Sequence, residues 1–98
     1  MRFEWGPEKA QSNLEKHGIS FAKAIELFSS RAEYLEIYDE HHSEMEDRFI
    51  VIGPVSSRII VMIYSESSED TFRIISARKA TRREVRLYRE HMKGDPHD

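Results

Sequence analysis

The chain contains no cysteine among its 98 residues, so disulfides and thiolate metal sites are excluded. Its longest apolar run, Ile59 to Tyr64, is far too short to cross a bilayer. The opening MRFEWGPEK lacks an apolar stretch of the kind a secretory signal needs, and a cytoplasmic location is the expectation. No repeat or low-complexity segment occurs. Glycine-rich phosphate loops, nucleophile elbows and dinucleotide fingerprints are missing too. Ser65, Ser67 and Ser68 have no histidine beside them in sequence, which leaves a serine hydrolase without support. His41, His42 and Glu44 are metal-ligand types, but adjacent histidines point apart and no third ligand has suitable spacing. No metal or cofactor is therefore expected, and DEHHSEMED reads as a solvated acidic loop or a contact for a basic partner.

What is present suffices for one modest core: 39% hydrophobic residues, ten of them aromatic when Tyr, Phe and Trp are counted together. A single domain over residues 1–94 with a loose tail at 95–98 is expected. The formal net charge of −3 conceals segregation. Seven acids and no Lys or Arg lie between Glu33 and Asp47, whereas Arg73 to Lys93 carries eight bases against Glu84 and Glu90. A local field of that sign attracts polyanions. Alternatively, the two regions pair with each other or face solvent.

Pro7 and Glu8 suit a first helical turn, Ala10 and Leu14 share a face, and Gly18 can take the left-handed cap. Ser20 is the N-cap of a second helix burying Phe21, Ala24, Ile25 and Phe28, closed by Ser29-Ser30. Tyr34–Tyr38 reads as a marginal strand, Arg48–Ile52 as a second and Arg58–Tyr64 as a central strand buried on both faces. Residues 53–57 form a hairpin loop between them, and Ser65–Asp70 a polar turn before a last strand, Thr71–Ala77. Alternation there puts Phe72, Ile74 and Ser76 on one face and Arg73, Ile75 and Ala77 on the other. Thr81-Arg82-Arg83-Glu84 is a capping box for a terminal helix stopped by Gly94 and Pro96. The expected architecture is α+β: two N-terminal helices, a four-stranded mainly antiparallel sheet with helices on one face, and a C-terminal helix.

Arg73, Arg78 and Lys79, at a strand end beside a helix N-terminus, are placed to clamp a phosphate. The alternative for Arg73 is an ion pair with an acid on a neighbouring strand. His17 can carry a proton near neutrality, or can simply satisfy carbonyls at the end of its helix.

Four separated segments, FEWGPEKAQSNLEKHGISF, EDRFIVIG, VMIYSE and FRIISARKATRREVRLY, resemble the BrnT family of bacterial toxins over about residues 3–89. The resemblance implies a RelE-like ribonuclease, the toxin of a type II toxin–antitoxin system, which cuts RNA and blocks translation. It also implies a BrnA-like, ribbon-helix-helix antitoxin in a 2:2 assembly that represses its own operon, with operator DNA held only through the antitoxin. The family motif falls on Lys9, His17, Arg48, Glu66, Arg73, Arg78 and Lys79. Gly6 follows Trp5 where the family usually has an acid, which bears on a local helix cap, and Lys79 replaces a more usual arginine. For metal-free cleavage by the RNA 2′-hydroxyl, the expectation is Arg73 and Arg78 on the phosphate with Lys79 assisting. His17 is the acid or base and Glu66 the second candidate base, while Lys9, Arg48, Arg82 and Arg83 contact RNA. The rival is a non-catalytic module that binds RNA or a partner through the basic C-terminal surface. A DNA-binding repressor is disfavoured because the basic helix has no turn-linked partner helix.

Overall fold

The computed structural model describes residues 1–29 and 33–93. In chain order the elements are β1 (Arg2–Glu4), α1 (Pro7–His17), α2 (Phe21–Ala24), α3 (Glu26–Ser29), β2 (Leu35–Tyr38), β3 (Arg48–Val55), β4 (Arg58–Ser68), β5 (Thr71–Lys79) and α4 (Arg82–Met92). The strands make one sheet in the order β1-β5-β4-β3-β2. The expected closure at Ser30, the stop at Gly94 and Pro96, and the loose tail lie outside the described residues.

Five strands replace the expected four, and the sheet is mixed. The addition is β1, which pairs in parallel with β5, Phe3 opposite Phe72 and Glu4 opposite Arg73. Three residues carry no periodicity to read, and the partner strand lies almost seventy residues away. The ladder is extended by Arg2 N–H donating to the Asp70 carbonyl (2.9 Å), and the Met1 ammonium meets the Asp70 carboxylate at 3.0 Å.

Helices cover both faces of the sheet, not one. α1, α2 and α3 close over a core that includes Phe21, Leu27, Val51, Ile60, Met62, Tyr64, Ile74 and Ala77. On the other side α4 brings Val85, Tyr88 and Met92 against Ile52 and Val61. The near-continuous apolar run of β4 requires this, since Ile60 and Met62 face one way and Val61 the other and all are fully buried. Each such side chain stabilises the fold by ~2 kcal/mol.

Turn lengths differ from expectation as well. Gly53 and Pro54 lie inside β3, opposite Ile60 and Ile59, so the hairpin turn shrinks to Ser56-Ser57 with Ser56 at φ +56°. Gly53 is required there because a Cβ would come within 2.9 Å of the Tyr34 Cβ. β4 likewise continues to Ser68, leaving Glu69-Asp70 as the turn, with Asp70 at φ +60°.

α1 starts at Pro7 and ends on Gly18 in the left-handed region (φ +70°), and Gly6 at its N-cap offers no side-chain hydrogen bond. Leu14 is largely exposed and Asn13 is the buried residue of this helix. Asn13 Nδ2 donates to the carbonyls of Ile19 (3.0 Å) and Ala77 (2.9 Å), and its Oδ1 accepts from Ala77 N–H at 3.1 Å. The α1–β5 contact is thus polar at its centre. Ser20 caps α2 through Lys23 N–H, but the expected second helix is two single turns, with Ile25 between them.

One irregularity in β5 re-aims its side chains. Ile74 lies opposite Tyr64 and Ser76 opposite Ile63, so Ile75 has no partner and forms a β-bulge. Beyond the bulge the alternation changes phase: Ala77 joins Ile74 in the α1-side core, and Ser76 shares the face of Arg73. Arg73 and Arg78, five residues apart, consequently project from the same face.

Candidate functional site

Where β3 and β5 begin and β4 nears its end, one cross-strand row on the α4-side face reads Arg48, Ser65, Arg73, Glu4. Among the described residues no α-helix lines this end. The segment linking β2 to β3 folds over it instead, shaped by Asp39. That carboxylate accepts from His41 N–H (3.2 Å) and contacts His42 Nδ1 at 2.9 Å, while the Asp39 carbonyl accepts from Ser43 Oγ (2.6 Å). Ser43 Oγ in turn accepts from Arg48 N–H (2.9 Å), tying the loop to the start of β3. The result is an open groove of about 700 Å³ lined by His41, His42, Glu46, Arg48, Ser65 and Arg73, with Glu44 and Met45 at its edge.

Two guanidinium groups, Arg48 and Arg73, share this groove with two lining carboxylates, Glu44 and Glu46. Glu46 Oε1 accepts from Ser65 Oγ (3.0 Å) and from Arg73 Nη1 (3.1 Å), and Arg73 Nη2 lies 3.6 Å from Glu4 Oε1. The ion pair with an acid on a neighbouring strand is therefore part of the Arg73 environment. Arg48 Nε is buried without an acceptor among the described residues. Because an ionised carboxylate only accepts, the His42–Asp39 contact fixes the proton on Nδ1 and leaves Nε2 free for chemistry. Among the described residues no group of three His, Asp or Glu side chains is placed to hold a metal ion.

Arg78 does not line this groove. Three cross-strand pairs, Tyr64–Ile74, Ile63–Ser76 and Met62–Ala77, lie between it and Arg73, about 13 Å along the strands. Its guanidinium forks onto Glu84, Nη1 to Oε1 and Nη2 to Oε2 at 2.8 Å each. Glu84 also accepts from Thr81 N–H (2.8 Å), and Thr81 Oγ1 accepts from Glu84 N–H (3.2 Å), completing the capping box. The Arg78 fork, followed by the bonds from Thr81, holds the Glu84 carboxyl down at about 2 against partial burial. Reciprocally, the bond to Glu84 pushes Arg78 above its usual range. This arginine clamps α4 to the sheet.

The remaining expected residues divide between two places. Lys79, at the end of β5, and Lys93, just past α4, join Arg82, Arg86 and Arg89 of α4 in lining a second groove, where Glu90 is the one acid among the described residues. Arg83 sits on another side of the helix, near Leu87 and Glu90. Lys9 and His17 are exposed on α1, across the sheet from Arg73. Glu66 pairs in register with Phe72 and follows Tyr64 on that same far side. Tyr64 donates its hydroxyl to Glu36, and burial together with that carboxylate pushes the phenol well above its ordinary value.

Four groove residues, His41, His42, Ser65 and Glu46, were not anticipated as a site. The available signal was the Asp39-x-x-His42 spacing, which permits a carboxylate–imidazole contact across one turn. Ser65 and Glu46 had none, because only sheet register and loop folding bring them to Arg73.

Residues 5–84 match the family described as ribonuclease toxin, BrnT, of type II toxin–antitoxin system. Among solved structures the fold is similar to the crystal structure of the Brucella abortus ribonuclease toxin BrnT, with a TM-score of 0.62 and 28% sequence identity. That match covers 84% of this chain and 99% of the Brucella protein. Comparison with curated protein sequences gives no significant match. With the family match spanning most of the chain, the protein belongs to the BrnT family of ribonuclease toxins of type II toxin–antitoxin systems.

Proposed function

We propose that this chain is an endoribonuclease toxin that cuts RNA and inhibits translation, and that the Arg48–Arg73 groove is where it cuts. The observation that carries this reading is the convergence of two guanidinium groups, a hydroxyl and a carboxylate-held histidine in one open groove. RNA brings its own nucleophile, so the protein must orient the 2′-hydroxyl, move protons and stabilise charge on the phosphorane-like transition state. Arg73 and Arg48 take the non-bridging oxygens. His42 Nε2 accepts the 2′-proton as the 2′-oxygen attacks phosphorus, with Asp39 stabilising the imidazolium that forms. The P–O5′ bond breaks, and the 5′-oxygen leaves with a proton from His41 in its imidazolium form, giving a 2′,3′-cyclic phosphate and a 5′-hydroxyl. Such a reaction needs no metal because neither nucleophile nor charge stabilisation depends on one. His17, Glu66 and Arg78 have no part in it, since two lie across the sheet and the third is bound to Glu84.

The partner in this reading is a BrnA-like ribbon-helix-helix antitoxin, assembled two to two with the toxin, through which the pair contacts operator DNA and represses its operon. An acidic antitoxin segment over the Lys79–Lys93 surface would block RNA and associate rapidly by charge complementarity.

The test is digestion of defined RNA by purified protein with and without a chelator. Cleavage should survive chelation, fall about 100-fold or more in His42→Ala, and vanish in Arg48→Ala, Arg73→Ala while circular dichroism stays native. Full cleavage by the folded double variant would overturn the assignment. The five-cation face of α4 favours a second reading, a binder that protects RNA; intact RNA ends throughout the assay would select it.

A further inference from the structure

Glu46 Oε1 sits where the Ser65 hydroxyl and the Arg73 guanidinium converge. We infer that Arg48, Ser65 and Arg73 form a subsite for one phosphate group and that Glu46 is its intramolecular occupant, displaced when a phosphodiester enters. This rests on the reading of the groove as the RNA site.

Three observations point there. First, the Ser65 hydroxyl and the Arg73 guanidinium converge on one oxygen, Glu46 Oε1, at 3.0 and 3.1 Å. A phosphate oxygen accepts from the same two donors, and guanidinium geometry matches either anion. Second, with Glu46 in place the buried Arg48 Nε still lacks an acceptor among the described residues. An unmet buried donor is costly, and a carboxylate whose Oε1 is committed to Ser65 and Arg73 leaves it unfilled; a tetrahedral phosphate presents more oxygens in more directions. Third, Glu46 rides on a span that no strand or helix holds. The loop is pinned at Ser43, which accepts from Arg48 N–H, and at Asp47, whose carbonyl accepts from Glu66 N–H at 2.8 Å. Between these pins the backbone of residues 44–46 makes no hydrogen bond among the described residues. The Arg73 and Glu46 side chains are 51% and 29% exposed, so water compensates both during exchange.

A resident carboxylate makes the subsite selective. A free anion must displace Glu46 with the contacts of this subsite alone. A polynucleotide competes with additional contacts to the basic face of α4, so chain length rather than a single phosphate opens the groove.

Calorimetric titration with inorganic phosphate tests this without relying on RNA cleavage. Glu46→Gln keeps the side-chain shape and removes the competing charge, and should bind phosphate about tenfold more tightly than the unaltered chain. Adding Arg73→Ala should abolish that gain. Glu46→Asp, one methylene shorter but still charged, should give a smaller gain and serves as the comparison should Glu46→Gln fail to fold. Unchanged phosphate affinity in the folded variant, or a gain that persists without Arg73, would show Glu46 to be an ordinary ion-pair partner and overturn the inference. Tighter phosphate binding with no RNA cleavage by either protein would retain the subsite and remove the ribonuclease reading. Cleavage that depends on Arg48 and Arg73, with phosphate affinity unmoved, would do the reverse.

Discussion

Replacing Glu84 by glutamine isolates a charge without removing a side chain. The carboxyl sits at about 2 in the folded chain against an ordinary 4.5, principally because of the two 2.8 Å bonds from Arg78. A difference of that size corresponds to about 3 kcal/mol for a pair sealed from water. Glu84 and Arg78 keep 24% and 33% of their side-chain surface exposed, and solvent screening reduces the expected contribution to ~1–2 kcal/mol. Because the folded value is depressed, the stabilisation is complete above about 4.5 and is lost as pH falls toward 2. Glutamine can still accept from Thr81 N–H, so the capping box is largely spared. Glu84→Gln should therefore melt lower by ~4–8 °C per kcal/mol lost. Measured by urea unfolding, the gap between the two proteins should be constant from pH 7 to 5 and narrow steadily from pH 4.5 downward. A gap independent of pH, or none at pH 7, would refute the claim that Arg78 is spent on holding α4.

Asn13→Ala should cost about 3 kcal/mol in unfolding free energy, because it strands the buried Ala77 N–H and two carbonyls that the amide now satisfies. A cost below 1 kcal/mol would mean that water replaces the side chain. Binding of single-stranded RNA to a cleavage-deficient Arg73→Ala variant should weaken with salt at a logarithmic slope near −3 to −4 if five α4-side cations contact phosphates. A slope near zero would remove that face from the RNA path.

The features legible in the sequence were those with a local cause. The Thr81–Glu84 capping box, the Pro7 start and Gly18 stop of α1, the Ser20 cap and the central position of β4 each follow from neighbours within a few residues. What escaped depended on distant partners. β1 is a strand only because β5 lies beside it, and Asn13 is buried only because Ala77 needs its amide. Reading β4 as apolar on both faces while placing every helix on one side was inconsistent in itself. Two buried faces demand two covers, and α4 supplies the second. Of the residues expected at a site, Arg48 and Arg73 line the groove. Glu66 came from the family motif and His17 from that motif and its place at a helix end, but strand phase and helix placement put both across the sheet from Arg73.

The bulge at Ile75 and the segregation of charge act together. Without the bulge, Arg73 and Arg78 would face opposite ways, and one of them would point into the α1-side core with Ile74 and Ala77. With it, both emerge on the α4 side, where each meets a carboxylate: Glu46 and Glu4 for Arg73, Glu84 for Arg78. The two pairs differ in what exchange would cost. Glu84 is held by both guanidinium nitrogens and by the backbone of its own helix cap, so its release would loosen α4. Glu46 is held through one oxygen on a loop, and its release would free two donors while leaving every strand and helix in place. Near-identical ion pairs by residue type are thus a fixed clamp in one case and an exchangeable contact in the other, and only the second is compatible with binding a substrate anion.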